Sequence, residues 1–139
     1  MGRKIESIRF EMYASGPLRP DEERVHEVEI LRSGRITHEV LSTKEAGDGG
    51  MEFRKDAYRI DPGKSAEFLD ALVTEFHVDE WIRDYGSPVL DGWSYEVTIR
   101  YSDGRVQGVR GSVDPPPGAE DVAGAVKELV PFLKEPWIF

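Results

Sequence analysis

The stretch VHEVEILRSGRITHEV, residues 25–40, decides the fold. Val28 and Ile30 alternate with Glu27 and Glu29, and Ile36 and Val40 alternate with Thr37 and Glu39. A period of two is that of a strand buried on one face. Between the runs stands Arg32-Ser33-Gly34, a three-residue hairpin loop whose glycine suits the left-handed position. That loop pairs Ile30 with Ile36 and Val28 with His38, which puts every apolar residue on one side. A two-residue loop would shift the register by one and set Glu29 opposite His38 on the apolar side. Burying that charge is costly, so the three-residue loop is preferred.

Upstream, Ile8, Phe10 and Met12 alternate with Arg9, Glu11 and Tyr13, a further strand that Gly16, Pro17 and Pro20 end in a polar loop. Downstream, Thr43 to Gly50 is a polar, glycine-rich connection. A fourth strand follows from Met51 to Ile60. Met51 and Phe53 are odd positions whereas Tyr58 and Ile60 are even, so a bulge between Arg54 and Ala57 is expected to reconcile the two halves and to curve the sheet.

Asp61-Pro62 then starts a helix, with Asp as cap and Pro at the first helical position. Its apolar face is Phe68, Leu69, Leu72, Val73 and Phe76. Val78, Trp81, Ile82 and Tyr85 continue at helical spacing but point to the opposite side. A break near His77 to Asp79 is therefore expected, with Asp79 capping a second short helix that reaches Tyr85. Trp93, Tyr95, Val97, Ile99 and Tyr101 form the cleanest strand, and Asp103-Gly104 turns it into a partner, Val106 to Val113, with a bulge at Gly108. A last helix from about Glu120 to Val130 follows Pro115-Pro116-Pro117. Pro131 ends it, and the apolar tail Phe132, Leu133, Trp137, Ile138 and Phe139 is expected to pack on the body. The expectation is an α+β fold: a single domain over residues 1–139, with one curved antiparallel sheet of about six strands. Helices pack on one face, in the order β-β-β-β-α-α-β-β-α.

The 139-residue chain is long enough to bury a core, and its 39% hydrophobic and 32% charged content is that of a globular protein. It contains no cysteine, which excludes disulfides and thiolate metal sites and fits a reducing compartment. The start lacks the apolar stretch of a signal peptide, and no run approaches the roughly 20 apolar residues that span a bilayer. A cytoplasmic location is expected. A net charge of −9 argues against nucleic acid or anionic lipid as partner, since both need a basic face. From Asp61 onward seven basic residues stand against fifteen acidic ones, so the acidity lies in the C-terminal part.

Three places could carry chemistry. His26 and His38 are diagonal neighbours on the apolar face of the hairpin, and with His77 or a carboxylate they could ligate a metal; a hydrogen-bonded pair packed in the core is the alternative. His77, Asp79, Glu80 and Asp84 gather imidazole and acid at the helix break, where solvated acids are the commoner outcome. Trp81, Tyr85, Trp93, Tyr95 and Tyr101 could line a ligand groove with Asp91 at its mouth, or fill the core. No Gly-x-Ser-x-Gly elbow is present, and Gly47-Asp48-Gly49-Gly50 lacks the lysine of a phosphate loop. Arg100, Arg105 and Arg110 cluster around one hairpin, where they could grip an anionic ligand; edge protection and ion pairs to Glu96 and Asp103 are the favoured reading. No residue pattern calls for a cofactor.

Trp81, Tyr85, then Val89-Leu90-Asp91-Gly92-Trp93-Ser94-Tyr95-Glu96-Val97, Tyr101-Ser102-Asp103-Gly104, Gly111 and Pro115 form a pattern of turns and aromatics over the C-terminal half. It resembles a class of small uncharacterised bacterial α+β domains with a helix, a Leu-Asp-Gly turn, a hairpin and a Gly…Pro segment before a last helix. The resemblance implies the fold and a bacterial cytosolic setting, and no activity. The functional expectation is a non-catalytic binding or protein-interaction module for a basic protein partner, of which an immunity-type inhibitor of a basic toxin is one form. The alternative is a small hydrolase or metal-dependent enzyme using the histidines and nearby acids. A homodimer through an exposed sheet face or the apolar tail is a third reading.

Overall fold

A computed structural model describes residues 4–15, 23–43, 51–85, 92–112 and 115–133. Six strands form one antiparallel sheet: β1 (Ile5–Ser15), β2 (Glu23–Leu31), β3 (Arg35–Thr43), β4 (Met51–Arg59), β5 (Gly92–Tyr101) and β6 (Val106–Ser112). Their spatial order is β4-β3-β2-β1-β5-β6, and the sheet is not closed. Two helices, α1 (Pro62–Thr74) and α2 (Ala119–Leu129), pack against one face, here called inner.

The β2–β3 hairpin has the three-residue loop and the register that the charges demand: Ile30 faces Ile36 and Val28 faces His38. Gly34 has φ of +95° and its amide donates to Leu31 O at 2.9 Å. A side chain there would also meet the Ile60 carbonyl, which lies 2.3 Å from the position of a Cβ. The inner face carries Ile8, Phe10 and Met12 of β1, Val28 and Ile30 of β2, Ile36 and Val40 of β3, and Tyr95, Val97 and Ile99 of β5, all buried.

Helix α1 is capped by Asp61, whose carboxylate accepts from the Lys64 amide, with Pro62 at the first position. It buries Phe68, Leu69 and Leu72. Two side chains fasten it to the sheet. Ser65 Oγ donates to Leu31 O at 2.5 Å, and the Arg32 guanidinium reaches both Ile5 O at 2.9 Å and Asp70 at 2.8 Å. Helix α2 adds Val122 and Val126 to the core. After its end, Val130 and Leu133 are buried, and Phe132 sets its ring 4.7 Å from that of Tyr58. Trp137, Ile138 and Phe139 lie outside the described residues, as do the proline loop near Pro17 and the glycine-rich connection after Thr43.

Three local expectations are corrected. Strand β4 pairs with β3 from Arg35↔Arg59 to Thr43↔Met51 without a bulge. As an edge strand it need not bury one face along its whole length, and Phe53 stays on the outer face, 62% exposed. Strand β6 also runs without a register shift at Gly108. The second helix is a single 3₁₀ turn, Val78–Glu80, entered through His77 in the left-handed region (φ 53°), so Asp79 lies inside the turn and does not cap it. Trp81 then turns extended, and the following backbone pairs along β6. Arg110 N donates to Arg83 O at 2.9 Å, and Tyr85 N donates to Arg110 O at 2.8 Å. Those bonds cover part of the β6 edge, which an exposed helix would leave open.

Gly111 faces Tyr95 across the β5–β6 ladder, and the ring, 2% exposed, lies over it: a Cβ at Gly111 would fall 2.4 Å from the Tyr95 hydroxyl. A Cβ at Gly108 would meet nothing within 4 Å. Gly111→Ala is therefore expected to destabilise the fold by about 1–3 kcal/mol through overpacking, and Gly108→Ala to leave it within about 0.5 kcal/mol. Urea unfolding of the two variants side by side checks this.

Candidate functional site

The inner face holds the two histidines. His26 is 1% exposed and His38 8%, and their Nε2 atoms stand 2.6 Å apart with ring centroids at 4.6 Å. At that separation one Nε2 carries the hydrogen and the other accepts it, which requires the accepting ring to be neutral. Burial, then the neighbouring His38 ring and Arg54, push His26 down to about 4. Burial and Arg54 also lower His38, with Asp56 pulling the other way. His77 is exposed on the connection after α1, so the structure brings His26 and His38 together and leaves His77 on another element. Among the described residues no three His, Asp or Glu side chains are grouped so as to hold a metal ion.

The expected aromatic groove is divided. Trp81, Tyr95 and Tyr101 are buried in the core, and Tyr85 is half-buried against it. Trp81 and Tyr101 edge an open cleft of about 630 Å³ with Asp79, Arg83, Arg105 and Gln107. Tyr101 and Gln107 in that cleft are bonded to each other. The Tyr101 hydroxyl donates to Gln107 Oε1, and Gln107 Nε2 donates to the carbonyls of Val78 and Trp81 at 3.0 and 3.2 Å. The Trp81 indole donates to Pro117 O at 2.8 Å. Tyr95 borders a different cleft, with Tyr13, Asp84 and Arg110. Asp91 lies outside the described residues, as does the side chain of Trp93. Of the acids at the break, Asp84 lies 3.4 Å from Arg110.

The opposite, outer face holds a feature that the sequence reading did not assemble. Glu96 of β5 faces Glu11 of β1, Glu11 faces Glu27 of β2, and Glu27 faces Glu39 of β3. Four carboxylates thus lie in one row across four adjacent strands, with Arg110 facing Glu96 at one end and Lys55 facing Glu39 at the other. Arg9 Nε lies 2.9 Å from Glu11 Oε1 and 3.9 Å from Glu27, Lys55 lies 3.0 Å from Glu39, and the Tyr13 hydroxyl donates to Glu11. Even so, burial and then the carboxylates of Glu39 and Glu11 hold the Glu27 carboxyl above its usual range, Glu29 adding to them and Arg9 partly offsetting. Burial, then the hydrogen bond to Glu11 and the charges of Glu11, Glu96 and Glu27, raise the Tyr13 phenol.

One step along the strands from this row lies an apolar one: Tyr13, Val25, Leu41 and Phe53, each facing the next across the sheet. On the other side come Thr98, Arg9, Glu29, Thr37 and Ala57, then the exposed Arg100, Arg35 and Arg59. The outer face is banded: apolar, acidic, mixed, basic. The signal for one pair of the row was present, since the hairpin register alone sets Glu27 against Glu39. The other two members needed the strand order.

No protein-family model and no curated protein matches the chain. Among the described residues no helix is long and apolar enough to cross a membrane.

Two expected outcomes follow from these charges. Unfolded histidine titrates near 6.5 whereas folded His26 titrates near 4, so between those values the unfolded state binds more protons. Stability is then full above pH 6.5 and falls as the pH drops toward 4, by on the order of 3 kcal/mol. Urea unfolding from pH 7 to 4 reads this loss, and the double variant His26→Leu/His38→Leu should flatten it. A single His26→Leu leaves a buried nitrogen unsatisfied and should cost more than the double. For Glu27 the sign is opposite: its carboxyl is raised, so the ionised form is disfavoured in the fold. Glu27→Gln should stabilise the protein at pH 7 by roughly 0.5 kcal/mol, and the gain should vanish below about pH 4 where Glu27 is protonated anyway. Paired unfolding curves at the two pH values measure it.

Proposed function

We propose that the chain is a non-catalytic protein-interaction module whose working surface is the outer face of the sheet, and that its partner presents a basic stripe to the carboxylate row. The observation that carries this reading is the row itself: Glu96, Glu11, Glu27 and Glu39 on four neighbouring strands. Like charges directly opposite each other destabilise a sheet, so a run of three such pairs is a standing cost that a cationic partner would remove. The net charge of −9 would steer such a partner at a distance. The lack of cysteine supports a reducing, cytoplasmic setting.

The hydrolase reading needs a base that substrate can reach. His26 and His38 are buried and spend their Nε2 atoms on each other, and His77, which is exposed, stands on another element apart from that pair. An interaction module needs only a presented surface, and the central strands offer one.

The test uses the immobilised chain and a charge-reversed Glu27→Lys/Glu39→Lys variant as paired baits in a lysate of the source organism. Both positions are on the outer face, and circular dichroism verifies that the variant folds. A basic protein retained by the wild-type chain, released by 0.5 M salt (roughly, where the Debye length falls to about 4 Å), and lost at least tenfold with the variant is the expected result. Identical capture by the two baits, or no salt-released partner, rejects the proposal.

A further inference from the structure

We propose that the element received by the outer face is a cationic amphipathic α-helix, about three turns long, lying across the strands with its basic edge on the carboxylate row and its apolar edge on Tyr13, Val25, Leu41 and Phe53. This inference rests on the docking function just proposed and adds the kind of partner.

The spacing selects the helix. Neighbouring strands lie about 4.8 Å apart, so the four carboxylates repeat at that interval over about 14 Å. A helix laid along the row brings a side chain to the same edge every three or four residues, a rise of about 4.5–6 Å. An extended segment laid the same way repeats every ~6.7 Å and loses register by the third carboxylate. About ten helical residues cover the row. The apolar row lies two residues further along each strand, ~6.7 Å away, which fits the width of a helix of about 10 Å diameter. One helix can therefore straddle both rows at the boundary between its basic and apolar faces.

The apolar row calls for a cover that charge alone does not. Phe53 is 62% exposed, and Val25 and Leu41 are half-buried on a face that neither α1 nor α2 covers. A second copy of the chain cannot satisfy both rows. Two-fold pairing that lays apolar row on apolar row sets the carboxylates against their own copies when the axis runs along the strands, and carries them past the apolar row to the strand ends when it runs along the row. Pairing that sets the carboxylates over Arg35, Arg59 and Arg100 carries the apolar row off the end of the facing sheet. An anionic membrane is repelled by the acidic row, whereas a basic helix with one apolar edge meets both demands.

The experiment titrates the ¹⁵N-labelled chain with a 14-residue peptide of Lys and Leu placed at helical spacing, and with a scrambled peptide of the same composition. The helical peptide should gain helicity on binding and shift the amides around Glu11, Glu27, Val25 and Leu41. The scrambled peptide should bind at least tenfold more weakly. Phe53→Ser, at an exposed edge position, and Glu27→Lys should each weaken the helical peptide several-fold while the amide spectrum stays folded. Equal binding of the two peptides at the acidic row overturns the helical partner and leaves acidic docking standing. If neither peptide binds, or the shifts map away from the outer face, both proposals fall.

Discussion

Among the described residues the sheet is buried on one side only, and that asymmetry governs what each residue of the six strands is for. Because α1 and α2 cover the inner face alone, strand parity sorts the chain into a core and a surface. A slip of one residue that moved β3 against β2 would carry Glu39 into the core and bring Ile36 and Val40 out. The same parity forces Glu96, Glu11, Glu27 and Glu39 together on the outside once β1 takes its place between β2 and β5. Three opposed like-charge pairs cost about 1–3 kcal/mol in total, a sizeable share of a typical stability of 5–15 kcal/mol. Arg9, Lys55 and the Tyr13 hydroxyl relieve only part of this, as the raised Glu27 carboxyl indicates.

The inner face solves its own polar problem within the same hairpin. His26 and His38 stand where the pattern expects apolar residues, and each satisfies the other. Their hydrogen bond exists only in the register that also pairs Ile30 with Ile36, so a slip would leave two buried nitrogens without partners. Arg32, in the loop of that hairpin, ties β1 and α1 to the same register through Ile5 O and Asp70. Core packing, the histidine pair and the loop glycine therefore agree on one pairing.

The β2–β3 register was legible because Gly34 set the loop length and the glutamates set the parity. Asp61-Pro62 marked the start of α1 for equally local reasons. The strand order was not legible. Nothing in the alternation of Ile8, Phe10 and Met12 says that β1 will take β5 as its second neighbour, from more than eighty residues away. The carboxylate row is invisible in the sequence for that reason, although each of the four glutamates alternates with apolar neighbours along its own strand. Counting charge along the chain pointed instead to the C-terminal part, yet three of the four row members precede Asp61. The bulge in β4 and the second helix failed on a shared assumption, that apolar residues at regular spacing must all be buried. Phe53 sits on an edge strand in solvent, and Trp81 is buried from an extended backbone that pairs beside β6.

The contrast between the two faces bears on function. Catalysis places a perturbed group where substrate reaches it, whereas a docking surface needs charge and apolar area held rigidly in place. On the inner face the perturbed groups are the histidines, buried and closed on each other. In the cleft beside Trp81, Gln107 and Tyr101 are bonded to each other and to backbone carbonyls. The perturbed groups on the outer face are Glu27, at the middle of the row on a strand paired on both sides, and Tyr13 beside the row. Rigid backbone under a reachable, under-neutralised row means that a partner loses little conformational entropy on the protein's side when it binds. The pairing of the strands fixes the spacing of the row, and the repulsion that Arg9, Lys55 and the Tyr13 hydroxyl leave is what the proposed cationic partner would relieve.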